Sequence, residues 1–359
     1  MIFLGAGASK PLGVPTLQEL SKIVIEELKN RGHSKLLGEI ESCFNEFNLT
    51  MDFEHLYSVI EGLNDPIESV KRLGGMATFF VKYKKNLPQK YDFDSLLLDL
   101  KNIIYDNCVL NIEKVKKLNE LYDPLFDILS KNFNILQSNT IIGNNDRGPE
   151  PLTKYIVTTN YDMSMELYLN IKERKFIDGY DLTNNTYIKR FNRILFDSLC
   201  DPHRSIGEIV LIKLHGSIWQ FVNEGCMIKT TIDPKINPPI PLNVEKEMMI
   251  YPTTEKEILS QYYFPFFSLF KNIRWTKLLV IGYSFRDKPI NEAIMENIIN
   301  IQNSKIIIIH PDVDYCLKNL YEYTPKNIRW NIPVDRVHKI NGKFGSDEVI
   351  RELEKIPIR

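Results

Sequence analysis

Five short apolar runs, each passing straight into small or polar residues, constrain this chain more than any other feature of its sequence. They lie at 2–4, 155–158, 209–214, 278–281 and 306–309. Apolar runs without polar alternation suit strands buried on both faces, as in a parallel sheet covered by helices. The first enters Gly5-Ala-Gly-Ala-Ser9 and the second Thr159-Asn160-Tyr161-Asp162. The third ends at His215-Gly216-Ser217, the fourth at Gly282-Tyr283-Ser284, and the fifth at His310-Pro311-Asp312. Parallel strands share one carboxyl edge, and ligands of open α/β sheets bind in the crevice there. The expected fold is therefore α/β, a Rossmann-like parallel sheet, with one polar site assembled from distant segments.

Between the first two runs the texture changes. From about 30 to 138, Leu, Ile, Phe and Tyr recur three or four residues apart, which predicts helices. Helix starts are expected near Thr16, Asp52, Pro66 and Asp92, and Thr16-Leu-Gln-Glu19 has the form of a capping box. The expected division is a core of 1–20 and 150–315, a helical insertion of 21–149, and a strand–helix extension of 316–359. Residues 139–151 and 236–241 read as loops. Residues 218–222 and 226–232 flank Asn223-Glu224-Gly225 as a three-residue hairpin. Residues 255–272 read as a helix, although Pro265 breaks the apolar run 262–270 within it. Tyr262, Phe264, Phe266, Phe267 and Phe270 suit a core or subunit interface better than a ligand cage.

Charge and cysteine usage exclude several functions. Forty-five Lys and Arg against 46 Asp and Glu give a net charge of −1, which argues against direct nucleic-acid binding but not against an anion held by backbone amides. No apolar stretch approaches the ~18 residues of a membrane span, and the first residues lack the basic segment of a signal peptide. Cys43, Cys108, Cys200, Cys226 and Cys316 form no C-x-x-C pair, so neither zinc, another metal nor a disulfide framework is expected. Isolated thiols suit a reducing, cytoplasmic setting.

At the strand ends, each candidate residue has a chemical and a structural use. Gly5, Ala6, Gly7, Ala8 and Ser9 would let the backbone approach a pyrophosphate, with free amides from the following helix. The same residues serve a tight strand–helix turn, and the third glycine of the dinucleotide fingerprint falls on Lys10. Of Asn160 and Asp162, one suits the N-cap of the next helix. His215, with Gly216 beside it, suits a catalytic base or a structural histidine. Ser284 after Gly282 suits a phosphate donor or a turn cap, and Arg286 and Asp287 a surface pair.

Taken in order, Gly5-Ala-Gly-Ala-Ser9, Gly13-Val-Pro15, Thr158-Thr-Asn-Tyr-Asp162, Lys213-Leu-His-Gly-Ser217 and Gly282-Tyr-Ser284 resemble the sirtuin-like (silent information regulator 2-like) family. The resemblance covers about 1–20 and 150–315 and implies NAD+ as substrate. By that resemblance Gly5 to Ser9 cradle the phosphates, and Thr159, Asn160 and Asp162 border the nicotinamide ribose. It also makes His215, beside Gly216, the catalytic histidine. Gly282 and Ser284 contact phosphate, and Asp312 lies on the adenosine side, where sirtuins carry Asn-x-Glu. Sirtuin deacylases have two C-x-x-C pairs after the His-Gly motif; this chain has only Cys226 there. They also have Gly-Ile-Pro-Asp-Phe-Arg where this chain reads Gly13-Val-Pro-Thr-Leu-Gln18. Those departures resemble the zinc-less sirtuin-like domains of bacterial antiphage defence, which degrade NAD+.

The resemblance thus implies an NAD+ glycohydrolase, an abortive-infection effector in which Asn160 holds ribose and water and His215 accepts a proton. Asp162 orients the Asn160 turn or stabilises positive charge. Gating by homo-oligomerisation, or by a HerA-like ATPase or short Argonaute partner, is expected by analogy. Two other activities stay open on sequence: a deacylase or ADP-ribosyltransferase, and a non-catalytic sensor of NAD+ or ADP-ribose.

Overall fold

A computed structural model describes residues 1–46, 51–64, 91–133, 154–182, 188–198, 209–230, 246–249, 260–322 and 334–356. The strands are β1 (Ile2–Leu4), β2 (Lys154–Thr158), β3 (Phe176–Ile177), β4 (Tyr180–Leu182), β5 (Ile188–Phe191) and β6 (Ile209–Lys213). They continue as β7 (Gly216–Asn223), β8 (Cys226–Thr230), β9 (Lys246–Met249), β10 (Lys277–Ile281), β11 (Lys305–His310) and β12 (Val337–Asn341). The helices are α1 (Ala6–Ser9), α2 (Leu17–Leu28), α3 (Ser34–Glu46), α4 (Phe53–Asn64), α5 (Phe93–Cys108), α6 (Ile112–Lys116) and α7 (Leu118–Phe133). After β2 come α8 (Ser164–Ile171), α9 (Arg193–Ser198), α10 (Ser260–Asn272), α11 (Lys288–Asn300), α12 (Val313–Glu322) and α13 (Asp347–Lys355).

Seven strands form a wholly parallel sheet in the order β12-β11-β10-β1-β2-β6-β3. The expected Rossmann-like sheet is therefore present, with each of the five apolar runs a strand in it. Phe3 lies opposite both Val157 and Val280, and all three are fully buried. The chain builds outward from β1 through β2 to β6, then returns to the other side of β1 with β10. That reversal puts the switch point, where ligands of such sheets bind, between β1 and β10.

A second sheet, β4-β5-β8-β7-β9, is antiparallel. The chain passes from β6 to β7 through Leu214 and His215 alone, and Gly216 at φ +72° makes the corner. The β7–β8 hairpin pairs Asn223 with Cys226, so its loop is Glu224-Gly225, two residues rather than the expected three. Both have positive φ, +50° and +68°, the geometry of a type I′ turn. Pro265 sits inside α10 rather than breaking it. Burial of Tyr263, Phe266, Leu269 and Phe270 along one helical face offsets the lost backbone bond. Of the remaining aromatics there, Phe264 is 58% exposed and Phe267 half-buried.

The chain divides into two compact units. One comprises Met1–Gly13, Leu110–Met249 and Tyr262–Arg359 and contains both sheets. The other comprises Val14–Val109 and Ile250–Gln261, in which α2, α4 and α5 pack on one another. Helix starts follow side-chain caps. Glu19 accepts from the Thr16 amide at 2.9 Å, Asp52 from His55 at 2.9 Å and Asp92 from Ser95 at 2.9 Å. The expected start at Pro66 and the loops 139–151 and 236–241 lie outside the described residues.

The glycines of the two central loops have a definite purpose. The Gly7 amide donates to the Gly282 carbonyl at 2.9 Å, and the Gly5 amide to that of Ile281 at 2.9 Å. A Cβ on Gly282 would lie 2.4 Å from the Gly7 carbonyl carbon, and one on Gly7 would lie 2.7 Å from the Gly282 Cα. The loops after β1 and β10 therefore meet backbone against backbone. We expect Gly282→Ala, also strained at φ +63°, to cost on the order of 3 kcal/mol in urea unfolding. Gly38→Ala, at an exposed position of α3 with nothing within 4 Å of the new Cβ, should instead add about 0.5–1 kcal/mol.

Candidate functional site

The carboxyl ends of β1, β2, β6 and β10 converge through hydrogen bonds rather than proximity alone. Thr158, the last residue of β2, donates its hydroxyl to the Leu4 carbonyl at 3.1 Å and accepts from the Asn160 amide at 3.0 Å. The Asn160 side chain then reaches across to the β1 loop. Its Nδ2 donates to the Gly5 carbonyl at 2.9 Å and to Ser9 Oγ at 3.0 Å. An amide nitrogen carries two hydrogens, so both are used. Asn160 Oδ1 is buried and meets no donor among the described residues. A buried acceptor left without a partner costs about 1–3 kcal/mol unless a ligand or water supplies one.

The turn bearing Asn160 is fixed from several sides. Asp162, 3% exposed, accepts from the Ser164 amide at 2.9 Å and so holds the entry to α8. Ser217 Oγ donates to the Tyr161 carbonyl at 3.1 Å, and the Ile218 amide does so at 3.1 Å. Lys213 Nζ donates to the Asp162 carbonyl.

His215 follows β6 as Asn160 follows β2, each two residues past a registered pair, Lys213 and Thr158. Its Nε2 lies 2.9 Å from Asp287 Oδ2, with both residues buried. The other Asp287 oxygen accepts from the Ile290 amide at 3.4 Å and caps α11. The expected surface pairing of Arg286 with Asp287 is thus corrected: Arg286 is exposed, while Asp287 turns inward to the histidine. The cause is the winding of 282–287, where Gly282 at φ +63° and Phe285 at φ +55° are both left-handed. Phe285 is fully buried, and its carbonyl accepts from Asn291 at 2.7 Å, which holds a conformation costing about 1–2 kcal/mol. An Asp followed by Lys288-Pro289 is a helix-start signal that could have revealed the cap, though not its histidine partner.

Not every predicted residue stands where a phosphate would need it. The amides of Gly5, Gly7 and Ala8 donate to the carbonyls of Ile281, Gly282 and Gly5, each at 2.9 Å, so they are not free. The helix expected after that loop is a single turn, α1. Ser9 is fully buried, with its hydroxyl on Asn160 and 3.4 Å from Ser164 Oγ. Ala6 and Thr159 are half-buried on the same loops, and the Thr159 amide donates to Leu4 at 3.1 Å. Gly216 forms the corner beside His215. Ser284 is half-buried, and its carbonyl accepts from Asn319 at 2.8 Å. Cys316, whose thiol burial pushes up to about 12, donates to the Tyr283 carbonyl at 3.5 Å. Asp312 is exposed and caps α12, accepting from Tyr315 at 2.9 Å; it lies past β11, away from Asn160 and His215.

Behind the site lies a buried group of charges with no signal in the sequence. Lys213 and Lys229 stand 3.3 and 3.4 Å from Glu166 Oε1, and Lys229 stands 2.6 Å from Asp178. All four are buried, and their charges sum to zero. Burial alone would lower the Lys229 ammonium, but Asp178 and Glu166 outweigh it and hold its pKa above the usual lysine value. Among the described residues no group of three or more His, Cys, Asp or Glu could hold a metal ion. No helix among them is long and apolar enough to cross a membrane.

A doubly wound α/β fold with Asn, His and Asp at its carboxyl edge defines the class of protein. Residues 154–330 match the family model described as the SIR2-like domain. The chain thus carries a stretch similar to the SIR2-like domain. Solved structures with similarity to the chain include a His-to-Asn mutant of a Sir2 homologue in complex with ADP ribose. It is 14% identical, with 99% of this chain and 91% of that one covered and a TM-score of 0.37. A triple mutant of Sir2 homologues in complex with 2′-O-acetyl ADP ribose is 15% identical, with 99% and 92% covered and a TM-score of 0.37. No curated protein matches.

Removing one member of the buried charge group leaves the others uncompensated. Lys229→Met is expected to lose about 3 kcal/mol or more in urea unfolding. The exposed pair Lys355–Glu352 should be worth less than about 1 kcal/mol when Lys355 is truncated.

Proposed function

We propose that the chain is an NAD+ glycohydrolase, cleaving the bond between nicotinamide and ribose to give nicotinamide and ADP-ribose. One observation carries this assignment: a buried, unpartnered Asn160 oxygen after β2 beside a His215–Asp287 pair after the adjacent strand β6. The SIR2-like domain match supports a dinucleotide as the substrate.

Nicotinamide departs as a neutral base with the electron pair of the C–N bond, leaving positive charge on the ribose. A water then adds its oxygen to that carbon and gives up a proton. Asn160 Oδ1 is suited to accept from a ribose hydroxyl or from that water, holding it in place. His215 takes the proton. Because an ionised Asp287 can only accept, the imidazole Nε2 carries hydrogen and Nδ1 is the basic nitrogen. Asp287 would also stabilise the imidazolium as it forms. Asp162, engaged with Ser164, orients the turn.

The phosphates would lie along the β1–β10 seam, facing Gly5 to Ala8 and Gly282 to Ser284, with Thr159 and Gly216 flanking the ribose. Asp312 would border the adenosine side. Glycohydrolysis is favoured over acyl transfer by the departures from sirtuin deacylases: a hairpin in place of the two C-x-x-C pairs, and Thr16-Leu17-Gln18 in place of Asp-Phe-Arg. By the same resemblance the chain would be an antiphage effector in the cytoplasm, restrained by homo-oligomerisation or by a partner such as a HerA-like ATPase or a short Argonaute.

Asn160→Ala and His215→Ala should each lower nicotinamide release at least about 100-fold, while circular dichroism shows each variant still folded at the assay temperature. Asp287→Asn should lower it less and shift its pH profile. Full turnover by either alanine variant, followed by chromatography of NAD+ loss, would refute the assignment.

A further inference from the structure

A chain of buried hydroxyls runs from Asn160 to a tyrosine on α7. Ser9 Oγ accepts from Asn160 Nδ2 at 3.0 Å and lies 3.4 Å from Ser164 Oγ. Ser164 Oγ in turn lies 3.3 Å from the Tyr122 hydroxyl of α7. Tyr122 and Ser9 are fully buried and Ser164 nearly so. The Tyr122 ring is clamped between Tyr168, 5.2 Å away between centroids, and Phe344, 5.9 Å away. Burial, then the nearby Asp162 charge, push the Tyr122 phenol above its ordinary range, so it stays a neutral hydroxyl.

An asparagine amide is nearly symmetric in shape, and only its neighbours decide which end is oxygen. The Gly5 carbonyl can only accept, which favours nitrogen on that side. Ser9 is ambivalent: its hydroxyl could equally donate to an oxygen. With the hydroxyls oriented outward, Ser164 accepts the Ser9 proton and Tyr122 accepts that of Ser164, which is the one polarity consistent with Ser9 accepting from Asn160. Ser9 then accepts from Asn160, and Asn160 Oδ1 is left as the buried acceptor.

We propose that Tyr122, acting through Ser164 and Ser9, is a positioning residue that fixes the amide orientation of Asn160. This also gives Ser9 the work of orienting Asn160 rather than of holding phosphate. The inference rests on the hydrolase assignment for its kinetic consequence, but not for its structural one.

Tyr122→Phe removes only the hydroxyl and keeps the ring packing. In the full chain it should lower kcat for NAD+ cleavage about tenfold, the effect of one lost hydrogen bond. KM should stay within about twofold. Ser9→Ala with Tyr122→Phe should be no slower than Ser9→Ala alone, because the two act in series. Independently of activity, the Asn160 side-chain NH2 signal, identified by its loss in Asn160→Ala, should exchange with solvent faster in Tyr122→Phe. Unchanged kcat and unchanged exchange in Tyr122→Phe would overturn the proposal, as would a KM effect without a kcat effect. A wild-type chain that leaves NAD+ intact would instead overturn the hydrolase assignment, and the exchange measurement would still decide the role of Tyr122.

Discussion

Where the sheet reverses its order of construction, the loops after β1 and β10 touch through backbone alone, with Gly7 donating to Gly282 at 2.9 Å. Much else hangs on that contact. It brings the Gly5 carbonyl to the place where Asn160 can reach it. It also sets the origin of the 282–287 loop, whose far end delivers Asp287 to His215. On its outer side the same loop is held by Asn319 and Cys316 of α12. Below it, Phe3, Tyr283 and Phe285 stack in succession, with centroids 4.7 and 4.9 Å apart. Both halves of the candidate site therefore descend from one seam between two strands.

The charged interior serves a complementary end. A lysine buried without a partner would lose its proton or unfold the site. Asp178 and Glu166 hold the Lys229 ammonium above the usual lysine pKa, and Lys213, beside Glu166, donates to the Asp162 carbonyl in the Asn160 turn. The turn is thus held by a lysine paired with Glu166 of α8, which Lys229 and, through it, Asp178 between β3 and β4 adjoin in turn. Hydrophobic packing could fill the same volume, but it could not supply a donor to that carbonyl.

The parallel sheet was legible because its strands are short, apolar and each followed by polar residues. That pattern needs no knowledge of distant contacts. Asn160, Asp162 and His215 were legible for the same reason, since a strand end fixes their position. Asp287 was not, because its inward turn depends on left-handed Phe285, a residue whose type gives no hint of that conformation. The buried charges were invisible because Lys213, Lys229, Glu166 and Asp178 each resemble a solvent-facing residue until folded together. β3, two residues long, offered too little pattern to identify. The glycines carry a contact that the pattern alone did not announce: G-x-G admits a close approach, and one such approach is made by the loop after β10.

The β7–β8 turn and the β6–β7 passage differ in what they permit. Asn223 and Cys226 are paired across the turn, so the chain leaves and re-enters at one point. A segment of almost any length could be spliced between Glu224 and Gly225 without disturbing either strand. From Lys213 to Gly216 there is no such slack, since one extra residue would swing His215 away from Asp287. Lineages built on this scaffold are therefore free to acquire new modules at the tip of the antiparallel sheet, while the corner that carries the histidine must be inherited at fixed length.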